Sequence, residues 1–503
     1  MGGTLRLETR TPETIDPAIV RDAGSAEFSM AVFAGLTRIN ADLRPEPALA
    51  RDWEVSDDGH TYRFELRDGL RFHDGRPLTA DDVRWSWERA LHPATQSPTA
   101  AVMLGNIEGA DAVRNGDADA LSGVRVLGDR LLDVRLVQRA AYFPALVAQA
   151  PSLVVDRANV AAGPDWSLRP NGSGPYRLTS FSPRSEVVLE SAPTYHPRQS
   201  GPATIRFTEL DPGESLLRYE QDQLDIVRVG GSNIDRFSDP REPRAAELRR
   251  APELALTYLG FNSSRPPFDD PHARRAFAHA IDRPRINRVS LRGHHTEARG
   301  ILPPGMAGYR ADYAGLPFDL DAARRELRLS RHGPIEEWPE LVLATSGSGL
   351  TAGPVTRAIV EPWRDQLGVD ISVEQLDFLD YLDLLDTFTA ADSPRHLFLS
   401  SWIADFPDPF NFLDMLYGSK RPNNYGGFND GFVDLLLELA SSEPRHERRL
   451  ALYRLAESRL VERGAAVPLY HRVSHVLVQP WVTQYPGQPV VREWLTDVEI
   501  APR

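Results

Sequence analysis

Two carboxylates, Asp405 and Asp408, lie three residues apart in the stretch SSWIADFPDPFNFL (residues 400–413), among Trp402, Phe406, Phe410 and Phe412. Acids in apolar company cap a turn, neutralise an internal cation, or stand ready for a cationic ligand. A carboxylate pair can also serve as the acid and base of a hydrolase acting on glycosides. The spacing does not exclude that, but a separation bridged by Pro407 reads more readily as turn chemistry. His294 and His295 are the only adjacent histidines. Neighbouring side chains point apart on a strand and share no helix face, so this pair reads as exposed loop rather than metal ligands.

Other catalytic signatures are missing. The sequence has no GxSxG elbow, no HExxH and no EF-hand loop, and the glycines of NGSGPYRL open a strand rather than a phosphate-binding helix. There is no cysteine, which excludes a disulfide framework, a thiol nucleophile and cysteine-ligated zinc or iron–sulfur centres. The reading is therefore of a protein that is not an enzyme and needs no cofactor or metal.

The elements that must position these residues follow from pattern. A chain of 503 residues, 41% hydrophobic, exceeds what one core usually organises, so two or three domains are expected. A net charge of -14 without a basic stripe argues against nucleic acid and anionic membrane as partners. No apolar run approaches the roughly 20 residues that span a bilayer. No export signal precedes the strand-like opening MGGTLRLETR, which reads as a chain trimmed at a processing site.

Tyr62, Phe64 and Leu66 alternate as in a strand. TADDVRWSWERAL is predicted to be a helix capped by Thr79 with Asp82 in capping-box position, burying Val83, Trp87 and Ala90. FDDPHARRAFAHAIDR is predicted to be a helix with Asp270 at the N-cap and Pro271 in its first position. Strand–helix–strand units recur at ATIRFTEL to LDIVRV and at PELVLATSG to VDISVEQLDF, the mark of an α/β protein. A long helix stopped by Gly464 and a strand, AVPLYHRVSHVLV, come near the end.

Seven stretches in chain order resemble one family. They are GGTLRLETRTPETIDP; PALARDWEVSDDGHTYRFELRDGLRFHDGRPLTADDVRWSWERAL; NGSGPYRLTSFSPRSEVVLESAPTYHP; YLGFNSSRPPFDDPHARRAFAHAIDRPRI; QLGVDISVEQLDFLDYLDLL; SSWIADFPDPFNFLDML; and AAVPLYHRVSHVLVQPWV. Together they resemble the extracytoplasmic solute-binding proteins of ABC importers, in the oligopeptide/dipeptide/nickel-binding branch (family 5). The resemblance implies an α/β, periplasmic-binding-protein-like two-lobed fold of type II with an extra inserted domain. Lobe I would take residues 1–40, 166–257 and 471–503, the inserted domain 41–165, and lobe II 258–470. The chain would cross near Tyr258 and Tyr470, and the lobes would close by a hinge on a ligand.

The resemblance also implies the site. The acid of its W-x-x-D, here Asp405 beyond Trp402, would take a ligand's α-ammonium, while Asp408 would serve the turn. The ligand backbone would add as a strand between residues 20–26, including Arg21, Asp22 and Ala23, and Ser400, Ser401, Trp402 and Ile403. Phe378 would stand as an aromatic wall. Leu399 replaces the arginine that would meet a peptide carboxylate, leaving Arg395 and Arg21 as substitutes. The loop TAAVMLGN lacks the tyrosines of oligopeptide binders. The implied role is peptide capture for a membrane permease by a monomeric extracytoplasmic protein, peripheral to the membrane and open to a lipid anchor in its precursor. An oligosaccharide, a metal chelate or another small solute remains the alternative, and a hydrolase using Asp405 and Asp408 is the alternative of another class.

Overall fold

The computed structural model describes residues 2–12, 14–195, 201–211, 213–347, 352–487, 489–490 and 494–501. His196 and Pro197, at the end of the third matching stretch, lie outside them. The chain forms two compact units, one of residues 1–251 with 474–503 and the other of residues 252–473. Both changes of unit fall inside long strands, Leu248–Phe261 and Ala466–Val478.

In the first unit the Thr4–Glu8 strand pairs in parallel with Thr204–Thr208 on one side and, through Leu7, with Ile226–Arg228 on the other. Glu186–Ser191 and Tyr176–Ser182 continue the sheet antiparallel. Leu5, Leu7, Phe28, Leu189, Ile205, Phe207, Val476 and Val478 share its core. A separate four-stranded antiparallel sheet joins Ala50–Val55, Thr61–Leu66, Leu131–Arg135 and Val124–Gly128. Its alternation is the one read from sequence, with Tyr62, Phe64 and Leu66 all buried. The Ala80–Leu91 helix carries the expected capping box, Thr79 N donating to Asp82 Oδ2 at 2.8 Å. It buries Val83, Trp87 and Ala90, and the Trp87 indole donates to the Ser152 carbonyl at 2.9 Å.

In the second unit Leu341–Ser346 and Ile371–Leu376 run parallel, joined through the Pro354–Pro362 helix. Parallel pairing needs such a crossover connection, usually a helix. The Pro271–His279 helix starts as predicted, with Asp270 accepting from His272 N at 2.9 Å, and buries Ala273 and Phe277. Phe277 meets Phe268 and Trp363 at ring-centroid distances of 5.0 and 4.7 Å, the aromatic centre of this core. The His446–Glu462 helix ends before Gly464, whose φ of +61° is left-handed; a Cβ there would lie 2.9 Å from the Arg274 Cβ. His295 is only half-exposed in its loop, stacked 5.1 Å from Tyr470.

Candidate functional site

Residues 400–403 belong to the Leu397–Ile403 strand. One side of that strand pairs along its whole length with Leu248–Phe261, from Phe261 opposite Leu397 to Ala255 opposite Ile403. The other side pairs with Leu341–Ser346 only at Leu397, Phe398 and Leu399. From Ser400 onward this side therefore has no partner strand among the described residues. Backbone donors and acceptors on such an edge accept an added strand. Ser401 and Ile403 are exposed, and Ser400 and Trp402 half-buried. The Ser401 hydroxyl is tied to Thr257 Oγ1 at 2.8 Å.

The chain then turns. Ala404 N donates to the Leu254 carbonyl at 2.8 Å, and Phe410 N donates to Asp408 Oδ1 at 3.0 Å as the Phe410–Tyr417 helix begins. The turn role given to Asp408 is thus present, but it is not the whole of it. Asp408 is buried and accepts from Arg449 through both oxygens, at 2.8 and 2.6 Å. Both oxygens of Asp408 are thus engaged in a structural ion pair, which disfavours the hydrolase alternative.

Asp405 differs. It is half-buried, and its side-chain partner is the neutral amide of Asn411, whose Nδ2 donates to Asp405 Oδ2 at 3.1 Å. No cation pairs with it among the described residues. Burial raises its pKa above the ordinary carboxylate value, and the Asn411 hydrogen bond offsets part of that rise. The residue keeps some open surface, yet desolvation is the dominant influence on its carboxyl. Asn411 also accepts from Trp402 Nε1 at 2.8 Å, so one buried amide fixes both the indole and the acid.

Phe378 begins the Phe378–Asp386 helix, capped by Asp377. At 64% exposure it is no core residue, and Leu379 beside it is 71% exposed. The same helix reaches the strand through Tyr381, whose phenol donates to the Leu399 carbonyl at 2.9 Å. Leu399, where an arginine was sought, packs against the core of the second unit.

Three expectations need correction. Arg395 is neither a free carboxylate receptor nor a solvated charge, because it grips Glu374 with both Nε and Nη2 at 2.6 and 2.7 Å. Residues 20–26 are not an extended edge, since the Ala23–Val32 helix takes them over from Ala23, and helical backbone cannot pair with a strand. Asp22 caps that helix, accepting from Ser25 N at 2.9 Å and from Ser25 Oγ at 2.6 Å, so its carboxylate is occupied. Arg21 is exposed and has no ion pair among the described residues. Ala23 and Gly24 border a cavity of about 730 Å³ within the first unit, which Glu8, Arg10, Glu209 and Arg228 also line.

The family described as bacterial extracellular solute-binding proteins, family 5, matches residues 44–424. The oligopeptide-binding protein OppA of Bacillus subtilis (strain 168) is 26% identical over 488 residues, covering 93% of this chain and 87% of its own. The probable deoxycholate-binding periplasmic protein YgiS of Escherichia coli (strain K12) is 29% identical over 485 residues, covering 94% of this chain and 89% of its own. Among solved structures, clavulanic acid biosynthesis oligopeptide binding protein 2 superposes with a TM-score of 0.87 at 26% identity, covering 100% of this chain and 96% of that one. The unliganded open form of the murein tripeptide-binding protein MppA gives a TM-score of 0.83 at 25% identity, covering 99% and 97%. This chain belongs to the bacterial extracellular solute-binding proteins, family 5.

Proposed function

We propose that this protein is the binding component of an ABC import system and captures peptides that carry a free α-ammonium. The observation that carries the reading is Asp405, a half-buried carboxylate with no cation among the described residues, beside a strand edge that has no partner strand among them. An ammonium leaving water needs a fixed carboxylate, and a backbone leaving water needs donors and acceptors. A peptide N-terminus supplies a match for both; a sugar or a steroid supplies no strand. Peptide-binding names among the relatives and neighbours support the same ligand class. The chain passes between its units twice, at 251–252 and 473–474, which is the connectivity a hinge needs. Delivery would be to a permease in the membrane, and among the described residues no helix is long and apolar enough to cross one itself.

Native mass spectrometry of the purified protein tests the reading directly. The expected result is a ladder of adduct masses separable by peptide fragmentation. A single non-peptide mass that peptides do not displace would overturn it.

Phe378 offers a second check. Its substitution by alanine is expected to leave the melting temperature unchanged, because exposed positions seldom contribute more than ~0.5 kcal/mol. A ligand stacked on it would lose about 0.5–1.5 kcal/mol, a roughly two- to twelvefold weaker Kd. Calorimetry with tri-peptides bearing an aromatic residue would show this, and an unchanged Kd would remove Phe378 from the site.

A further inference from the structure

We propose that Asn411 is a positioning residue that holds Asp405 aimed for the ligand's ammonium and locks it to Trp402. This rests on the peptide reading above. Asn411 is fully buried in the first turn of the Phe410–Tyr417 helix. Its oxygen accepts from Trp402 Nε1 at 2.8 Å and from Asp405 N at 3.3 Å, and its Nδ2 donates to Asp405 Oδ2 at 3.1 Å. The amide is thus oriented by two donors on one end and gives its own donor to the acid on the other. Neither aspartate, which lacks the donor, nor leucine, which lacks both, reproduces that arrangement. One oxygen of Asp405 is thereby engaged, leaving the other, Oδ1, to the ligand.

The surrounding charges do not do this work. On its own turn Asp408 is closed on Arg449 of the His446–Glu462 helix. On the Phe410–Tyr417 helix Asp414 is closed on Arg421. On the strand that receives Ala404 N, Glu253 is closed on Arg472 at 2.9 Å. The hydrogen bond from Asn411 is what favours the ionised form of Asp405 against the burial that opposes it. Remove it and Asp405 protonates at higher pH. Affinity for an ammonium is full above the Asp405 pKa and is lost as pH falls through it, so the acid limb of binding moves upward with that pKa.

The test uses the full chain with aspartate labelled at ¹³Cγ, the Asp405 signal being assigned by its loss in Asp405→Asn. Titration without ligand is run on the wild type, Asn411→Leu and Asn411→Asp; the last is nearly isosteric and keeps an acceptor for Trp402. The expected result is an Asp405 titration displaced to higher pH in both variants. The acid limb of tri-alanine binding, measured by calorimetry, should move with it. N-acetyl-tri-alanine, without an ammonium, should show no such limb. If Asp405 titrates as in the wild type while only the melting temperature falls, Asn411 merely packs the turn and the proposal is overturned. If the titration moves but no peptide binds the wild type, the positioning stands and the peptide reading is what fails.

Discussion

Asp405→Asn is expected to weaken an ammonium-bearing ligand by roughly one to two decades in Kd. A hydrogen bond to a charged group contributes about 1.5–3 kcal/mol, and 1.4 kcal/mol is one decade. A fully buried pair broken on one side would cost about 3–5 kcal/mol, but Asp405 keeps part of its surface open in the ligand-free chain, so the lower range applies. The asparagine keeps the shape and removes the charge. N-acetylation of the ligand should reproduce the loss in the wild type and add little in the variant, because both changes remove the same pair. Calorimetry on the four combinations decides. Full additivity would mean that Asp405 never meets the amine, and the solute would then be sought outside peptides.

The largest expected effect on stability belongs to the neighbouring acid. Asp408→Asn leaves the Arg449 guanidinium buried, with side-chain exposure of 8%, and without its charge partner. Stranding one member of such a pair costs about 3–5 kcal/mol. Arg449 has secondary bonds to the Ala440 carbonyl at 3.2 Å and to the Tyr453 hydroxyl at 3.2 Å, which orient it but do not neutralise it. Chemical denaturation should show a lower midpoint for Asp408→Asn, with partial recovery when Arg449→Met is added so that no lone charge remains buried. Ligand affinity of the folded variant should stay within about threefold, since a change of ~0.5 kcal/mol or less is expected away from the site. A midpoint equal to the wild type would return Asp408 to the turn alone.

These two acids show where the sequence was legible and where it was not. Local signals sufficed for the elements: the Thr79 and Asp270 caps, the Tyr62–Phe64–Leu66 alternation and the Gly464 stop are each written in a few adjacent residues. The family was legible because seven such stretches keep one order. What escaped was anything that depends on partners distant in sequence. Asp408 reads as a turn residue alone because Arg449 lies 41 residues on; Arg395 reads as free because Glu374 lies 21 residues back. Phe378, read as an aromatic wall, is exposed because its helix turns Tyr381, Leu384 and Leu385 inward instead. Residues 20–26 were misread for a nearer reason: Asp22 followed three residues later by Ser25 is a cap, and the cap outweighed the extended reading. Asn411 carried one cue, an amide six residues beyond Asp405 in an otherwise apolar run, and no pattern marks it as the residue that binds both Trp402 and the acid.

The second unit is continuous in sequence, whereas the first is closed by residues 474–503. Val476–Val478 lie beside Ile226–Arg228, and Val476 and Val478 sit in the same core as Leu5. Gln479 Nε2 donates to the Tyr219 carbonyl and Trp481 Nε1 to Asp225 Oδ1, at 2.9 and 2.8 Å. During synthesis that core cannot be completed until the ribosome has added the whole of residues 252–473 and gone beyond them. At about 5–20 residues per second this takes on the order of ten to forty seconds. Until residues beyond 473 have been made, Leu5 and Leu7 lack the Val476 and Val478 that share their core.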